Sequence, residues 1–236
     1  MKMMMDVSRV RGNIGGVMPM KELCSAVFAL VLVALTSVSA LAAGAGEVTN
    51  LSGTLSVQRL DGTMRVLGQK SEVIAGDILT TQKDSYAQIN FTDGSSVTMR
   101  PNTQMKIDAY SFVQDQPQAD NAFFRLLKGG MRTVTGLVGK RGDQNAYRIG
   151  TSTATIGIRG SMGDTRVDGS TVDHFTHLGT YVLTNEIESR EVGAGFSVQV
   201  RGARDAIRVS AGHFDNEWNK VWPTSLSGAL KGPCGK

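Results

Sequence analysis

The stretch Ala87-Gln88-Ile89-Asn90-Phe91-Thr92-Asp93-Gly94-Ser95-Ser96-Val97-Thr98-Met99 decides the fold class. Ala87, Ile89 and Phe91 alternate with polar residues, and after Asp93-Gly94 the alternation resumes through Val97 and Met99. A period of two marks a strand with one buried face, and Asp-Gly between two such runs is the strongest short signal for a hairpin. A type I′ turn, with positive φ at both central residues, is the expected connection. The same construction stands around Asp61-Gly62, between Leu55-Val57 and Met64-Val66, and around Asp168-Gly169, between Arg166-Val167 and Thr171-Val172.

Outward from these hairpins the β character continues. Val73-Ile74-Ala75-Gly76-Asp77-Ile78-Leu79 reads as two short strands folded about Gly76-Asp77, and Gln104–Ile107 sets Met105 and Ile107 on one face. Strands every 8–12 residues are the spacing of sandwiches, barrels and solenoids. The expected fold is therefore all-β, with short antiparallel strands and hairpins forming a β-solenoid-like or sandwich domain. Ala122–Leu127 fits neither the helical nor the strand period, and Gly129-Gly130 is expected to end it. Tyr110–Asn121 and Gly136–Asn145 are polar or glycine-rich and read as surface loops, where a rigid β scaffold usually carries recognition. Asn216–Trp222 offers a helical turn that docks the tail, and the Gly-rich end from Leu226 to Lys236 is expected to be disordered.

The amino terminus has a different composition. Lys21 precedes an apolar stretch from Leu23 to Val38 that ends in Ala40-Leu41-Ala42. Basic start, apolar middle and small residues at a cleavage point are the order of a secretory signal. The stretch falls short of the roughly 20 residues of a spanning helix, so residues 1–42 are expected to be removed as a signal peptide, with Met18 or Met20 as alternative starts. Of the 236 residues 194 remain, and the leader's two excess basic charges leave with it, lowering the net charge of +4 by two. The remaining charges alternate in sign, which excludes the basic stripe of a nucleic-acid binder. Cys24 goes with the leader; Cys234, near the end, is left as an unpaired tail thiol or an intermolecular link. The expected organisation is a signal peptide over 1–42, a β domain over 43–210 and a tail over 211–236. A periplasmic or extracellular location follows from the signal.

Catalytic signatures are missing. There is no nucleophile elbow, phosphate-binding loop or dinucleotide fingerprint. His174 and His177 are three apart, which in a strand sends them to opposite faces, and no carboxylate spacing joins them or His213 into a metal site. No cofactor, metal or catalytic residue is expected; an enzyme would instead show a cleft in which one of these histidines meets carboxylates. Asp61, Asp77 and Asp93, beside turn glycines, are expected to bind nearby backbone N–H groups. Arg159, between Gly157 and Gly160, is expected to hold backbone carbonyls at a strand end, and only exposure would make it a ligand contact. Phe123, Phe124, Trp218 and Trp222 are expected in the core or at the docked tail.

Four phrases in order carry a resemblance. Gly53–Val57, Ile74–Thr80, Ala87–Met99 and Thr155-Ile156-Gly157-Ile158-Arg159-Gly160 follow one another as in the FecR-type domain, from about Val48 to Arg201. The resemblance implies that Gly76, Asp77, Asp93, Gly94, Gly157, Arg159 and Gly160 are family-motif residues with structural roles. Ser152 and Ser161 stand where the family usually has Pro and Thr. Its best-known members resemble a periplasmic sensor that holds a sigma factor through a cytoplasmic part. They carry a spanning helix ahead of the shared domain, whereas about twenty residues precede the apolar stretch here, so the chain looks like the stand-alone exported form. The resemblance implies a non-catalytic binding or signalling module whose partner is an unidentified protein. The alternative is a structural envelope protein that contacts polysaccharide or peptidoglycan.

Overall fold

The computed structural model describes residues 44–215 apart from Gly142 and Gln144, together with Trp218. The stretch expected to be a signal peptide, both cysteines, Trp222 and the end of the tail lie outside the described residues. Among the described residues no helix is long and apolar enough to cross a membrane.

Among the described residues fifteen strands form. They are β1 (Gly46–Ser52), β2 (Leu55–Gln58), β3 (Met64–Leu67), β4 (Glu72–Val73), β5 (Ile78–Thr81), β6 (Tyr86–Phe91), β7 (Ser96–Met99) and β8 (Gln104–Ser111) in the first half. Then come β9 (Asn121–Val134), β10 (Tyr147–Gly150), β11 (Thr155–Asp168), β12 (Thr171–Thr184), β13 (Ser189–Gly193), β14 (Phe196–Val200) and β15 (Arg208–Ala211). All belong to one continuous hydrogen-bonded sheet. Every pairing is antiparallel except that of β10 with β9.

That sheet folds over into two layers because β9, β11 and β12, 14 residues each, pass through both. The first layer runs β3-β2-β5-β8, then the start of β9, β10, the start of β11, the end of β12, and β13. The second runs β4-β1-β6-β7, then the end of β9, the end of β11, the start of β12, β14 and β15. Of the expected architectures, the sandwich is the one that forms. Between the layers Phe91 of β6 meets Phe124 of β9 at 4.8 Å and Tyr110 of β8 at 5.3 Å between ring centroids. Val48, Leu55, Val57, Leu79, Ile89, Val97, Met99, Met105, Ile107, Ile149, Ile156 and Ile158 complete one apolar core.

Glycines make the bends. Gly129 in β9 and Gly179 in β12 take φ of 82° and 76°, a region that L side chains enter at a cost of about 1 kcal/mol or more. A Cβ on Gly129 would also lie 2.6 Å from the Thr103 backbone, and one on Gly179 2.6 Å from Ser161 Oγ. Gly129-Gly130 thus does not end the preceding segment, as its sequence suggested, but turns it from one layer into the other. A bulge between Arg159 and Met162, with Gly160 at φ 57°, does the same for β11.

The three Asp-Gly hairpins form in register, but none is type I′. At the first two only the glycine is at positive φ, Gly62 and Gly94 both at 81°. Gly62 N–H donates to Arg59 O, and Arg59 N–H to Thr63 O. Gly94 and Phe91 repeat the pattern with Phe91 and Ser95. This is a type I turn followed by a left-handed bulge residue. The turn begins one residue earlier than a type I′ turn would, so the aspartate takes its third place and not its second, and it caps the chain two residues on: Asp61 accepts from Thr63 N–H, Asp93 from Ser95 N–H. In the third, Asp168 pairs with Thr171, leaving Gly169-Ser170 as the loop with positive φ at Gly169 alone, the type II′ pattern.

Candidate functional site

Asp93 is more than a turn cap. Its carboxylate also accepts from the Ser95 hydroxyl, the Tyr110 hydroxyl and Val138 N–H, so one hairpin, the end of β8 and the loop after β9 meet on a single side chain. Burial, first among the causes, pushes the Tyr110 hydroxyl well above its usual range. Asp77 is buried, accepts from Ile74 N–H at 2.9 Å and pairs with Arg59 at 2.9 Å. Burial outweighs both contacts and raises its carboxyl above the usual value. Gly76, at φ 93°, lies under Leu60, which a Cβ would strike.

The two loops singled out in the sequence are fastened to each other. Arg141 pairs with the buried carboxylate of Asp120 at 2.9 Å, donates to the carbonyls of Val113 and Gln114, and stacks its guanidinium 4.9 Å from the Phe112 ring.

The histidines divide as the strand period predicts. His174 faces the core, fully buried, with Nδ1 3.0 Å from Thr165 Oγ1 and its ring 4.2 Å from that of Tyr181. Burial pushes its pKa down to about 3. No substrate reaches this threonine–histidine pair, because both residues are sealed in the core. His177 lies on the opposite face, the outer side of the second layer, where no local pattern in the chain marks a cluster.

That cluster is built around Asp164. β9 and β11 pair Arg132 with Asp164, and β11 and β12 set Phe175 opposite Asp164 with His177 two residues on. The fully buried carboxylate receives Arg132 Nε at 2.7 Å and Nη2 at 2.8 Å, His177 Nε2 at 2.7 Å and His213 Nε2 at 3.1 Å. Burial alone would raise this carboxyl; the four donors overturn that and hold it well below the usual carboxylate range. His213 Nδ1 accepts from Asp215 N–H at 2.9 Å, which places its proton on Nε2, pointing at Asp164.

The oxygen and two nitrogens lie within 4.8 Å of one another, close enough to share a metal ion. The donor set disfavours it. A metal needs the Nε2 lone pair of His213, hence a proton on Nδ1, where a backbone N–H already points. It would also have to share both Asp164 oxygens with a guanidinium. A histidine does meet a carboxylate here, as an enzyme was expected to show, but the carboxylate is saturated and lies beneath the chain that follows β15. That chain is pinned down in series: Arg166 pairs with Asp173 and Asp215 and stacks on Phe214 at 4.9 Å, and Trp218 lies on Gly130 under the Arg100 guanidinium at 4.2 Å. A Cβ at Gly130 would sit 2.5 Å from the Trp218 ring.

The outer side of the first layer is different. Arg125, Arg148 and Arg159 point outward from β9, β10 and β11, since Phe124, Ile149, Ile156 and Ile158 point inward. Arg159 is exposed and its guanidinium holds no carbonyl, contrary to expectation; that guanidinium forms no hydrogen bond or ion pair among the described residues, and the Arg159 carbonyl accepts from the Ser161 hydroxyl. Gly157 has neither a positive φ nor a crowded neighbour: a Cβ would find only Val182 O, at 3.7 Å. Gly160, by contrast, bends the strand, its N–H donating to Gly139 O.

The profile of the FecR protein family matches residues 77–187. These residues, a little under half of the chain, carry the FecR match. The match begins at Asp77 and ends just past β12, so it contains all three strands that pass through both layers. It is narrower than the Val48–Arg201 span of the resemblance and leaves β1–β4 outside. Two crystal structures of a candidate anti-sigma factor from Parabacteroides distasonis ATCC 8503 are similar, both at 12% identity over 58% of this chain, with TM-scores of 0.46 and 0.47. The chain spans 60% of the length of that protein. A cell surface anchoring domain is similar at 28% identity over 26% of this chain and 80% of its own, with a TM-score of 0.25. No protein of curated function matches. The FecR family is of a regulatory, non-enzymatic kind. The body that carries the match is all-β.

Proposed function

We propose that this FecR domain is an exported, non-catalytic module that recognises a protein partner in the periplasm or at the cell surface and relays that contact as a signal. The FecR match over residues 77–187 carries the reading. Three further features support it. The amino-terminal stretch has the order of a secretory signal, the Asp164 cluster is saturated by its own donors, and an outward sheet face presents the Arg159 guanidinium without a partner among the described residues. A photo-crosslinking residue in place of Val113, exposed in the loop between β8 and β9, tests the reading in living cells. One membrane or receptor protein captured reproducibly is the expected result. Capture of envelope glycan alone would replace this reading with the structural one.

A further inference from the structure

On the outer face of the first layer, β10 sets Arg148 opposite Gly157 of β11 on one side and Phe123 of β9 on the other. Arg159 and Arg125 are then the diagonal neighbours of Arg148, on opposite sides and in opposite directions along the strands. Diagonal neighbours lie roughly 7–8 Å apart at the backbone, so Arg125, Arg148 and Arg159 form one oblique line of guanidiniums. Asp108 pairs with Arg125 at 2.7 Å and with Lys106 at 2.9 Å, and Arg148 Nη2 reaches Asn121 Oδ1 at 3.4 Å. Counted over β8–β11, Arg125, Arg148, Arg159 and Lys106 against Asp108 leave a net positive charge of three, and Glu191 of β13 stands on the same face two strands beyond Gly157. Arg148 Nε is buried with no hydrogen-bond partner among the described residues. Phe123 is held between the guanidiniums of Arg148 at 5.0 Å and Arg125 at 5.8 Å, leaning over Gly150.

Gly157 makes this face more than a charged surface. A glycine inside a strand weakens it, and the fold needs none here, since a Cβ would meet only ordinary contact. The missing side chain leaves a notch in the middle of the line, between Arg148 and Arg159, where another backbone can come close. Extended chain rises about 3.2–3.4 Å per residue, so alternate side chains stand about 6.4–6.8 Å apart on one face, close to the step of the arginine line.

We propose that this line is a docking site for an extended acidic segment of a protein, with carboxylates at alternate residues paired to Arg125, Arg148 and Arg159 and its backbone lying in the Gly157 notch. The site rests on the proposed role in recognising a protein and gives that partner a chemistry. Guanidinium–carboxylate pairs are directional and bidentate, which fixes the register of such a segment.

The probe is a fluorescent eight-residue peptide alternating Asp and Thr, titrated into the full-length protein and followed by anisotropy. A peptide of the same composition with its four Asp contiguous, and polygalacturonate, serve as comparisons. The alternating peptide is expected to bind at least tenfold tighter than either. R159E and G157V are each expected to weaken it at least tenfold, whereas R65E on β3, an equal change of charge, leaves binding within twofold. G157V keeps or raises the melting temperature, which separates loss of the notch from loss of the fold. No binding of the alternating peptide, equal binding of contiguous Asp or polygalacturonate, or unaltered binding to G157V overturns the site. Crosslinking from Val113 distinguishes the two claims: a protein captured equally well with R159E leaves the proposed function standing and removes this site.

Discussion

Asp164 is the point at which the structure is most sensitive to a single atom pair. Replacing it with Asn keeps the shape and removes the charge. Arg132, with 7% of its side chain exposed, then keeps a buried guanidinium with no counter-charge at that position. The new amide N–H₂ also faces His213 Nε2–H, and His213 cannot shift its proton to Nδ1 because Asp215 N–H occupies that lone pair. Breaking a buried ion pair from one side costs about 3–5 kcal/mol. For a domain of this size each kcal/mol lowers the melting temperature by about 2–4 °C, so D164N should melt roughly 6–20 °C lower. The pH dependence carries a sign. The folded carboxyl is held below its unfolded value, so its contribution is present above about pH 3.9 and is lost as pH falls toward the folded value. Urea unfolding of both proteins from pH 7 to pH 3 measures this: the gap is constant down to about pH 4–5 and narrows below. A double variant, D164L/R132M, should recover most of the loss, because removing both charges leaves neither unpaired. A loss under about 1 kcal/mol, or a gap that stays constant down to pH 3, refutes the account of a charged, saturated carboxylate.

Other outcomes follow from neighbouring features. His174 is buried and neutral with a folded pKa of about 3, so the unfolded chain takes up a proton there first; stability should fall from about pH 6.5 downward by up to about 1.4 kcal/mol per pH unit, and H174Q should flatten that limb in the same urea series. G129A should destabilise by more than about 2 kcal/mol, adding left-handed strain to a clash with the Thr103 backbone, whereas G157A should be neutral or stabilising by about 0.5–1 kcal/mol. Thermal melts compare the two directly. R141A should release both loops it ties together, seen as faster amide hydrogen exchange over 112–120 and 137–146 with little change in β5 or β6.

The hairpins were legible because their evidence is local: alternation and an Asp-Gly pair lie within a dozen residues. The turn type was not, because Asp61 and Asp93 were read as central residues at positive φ, when each instead precedes the one left-handed glycine and caps the chain beyond it. Gly129-Gly130 misled for a related reason. Glycine in a strand marks either an end or a bend, and only the packing against Thr103 and Trp218 decides between them. Half of the Asp164 cluster was within reach of sequence, since the hairpin at Gly169 sets Asp164 opposite Phe175 and close to His177. Arg132 and His213 were not, because β9 and the chain after β15 arrive by pairings that no local pattern records. Arg159 was identified as a residue of interest and given the wrong occupation; the parity of Ile156 and Ile158 already turned it outward.

The passage of β9, β11 and β12 through both layers has a consequence for how this protein is made. No portion of the chain ending before β12 can complete either layer, since each lacks a central strand until the last of the three arrives. A growing or truncated chain that stops before β12 therefore leaves an open strand edge in both layers at once, and whatever surveys it before release meets two unfinished edges together.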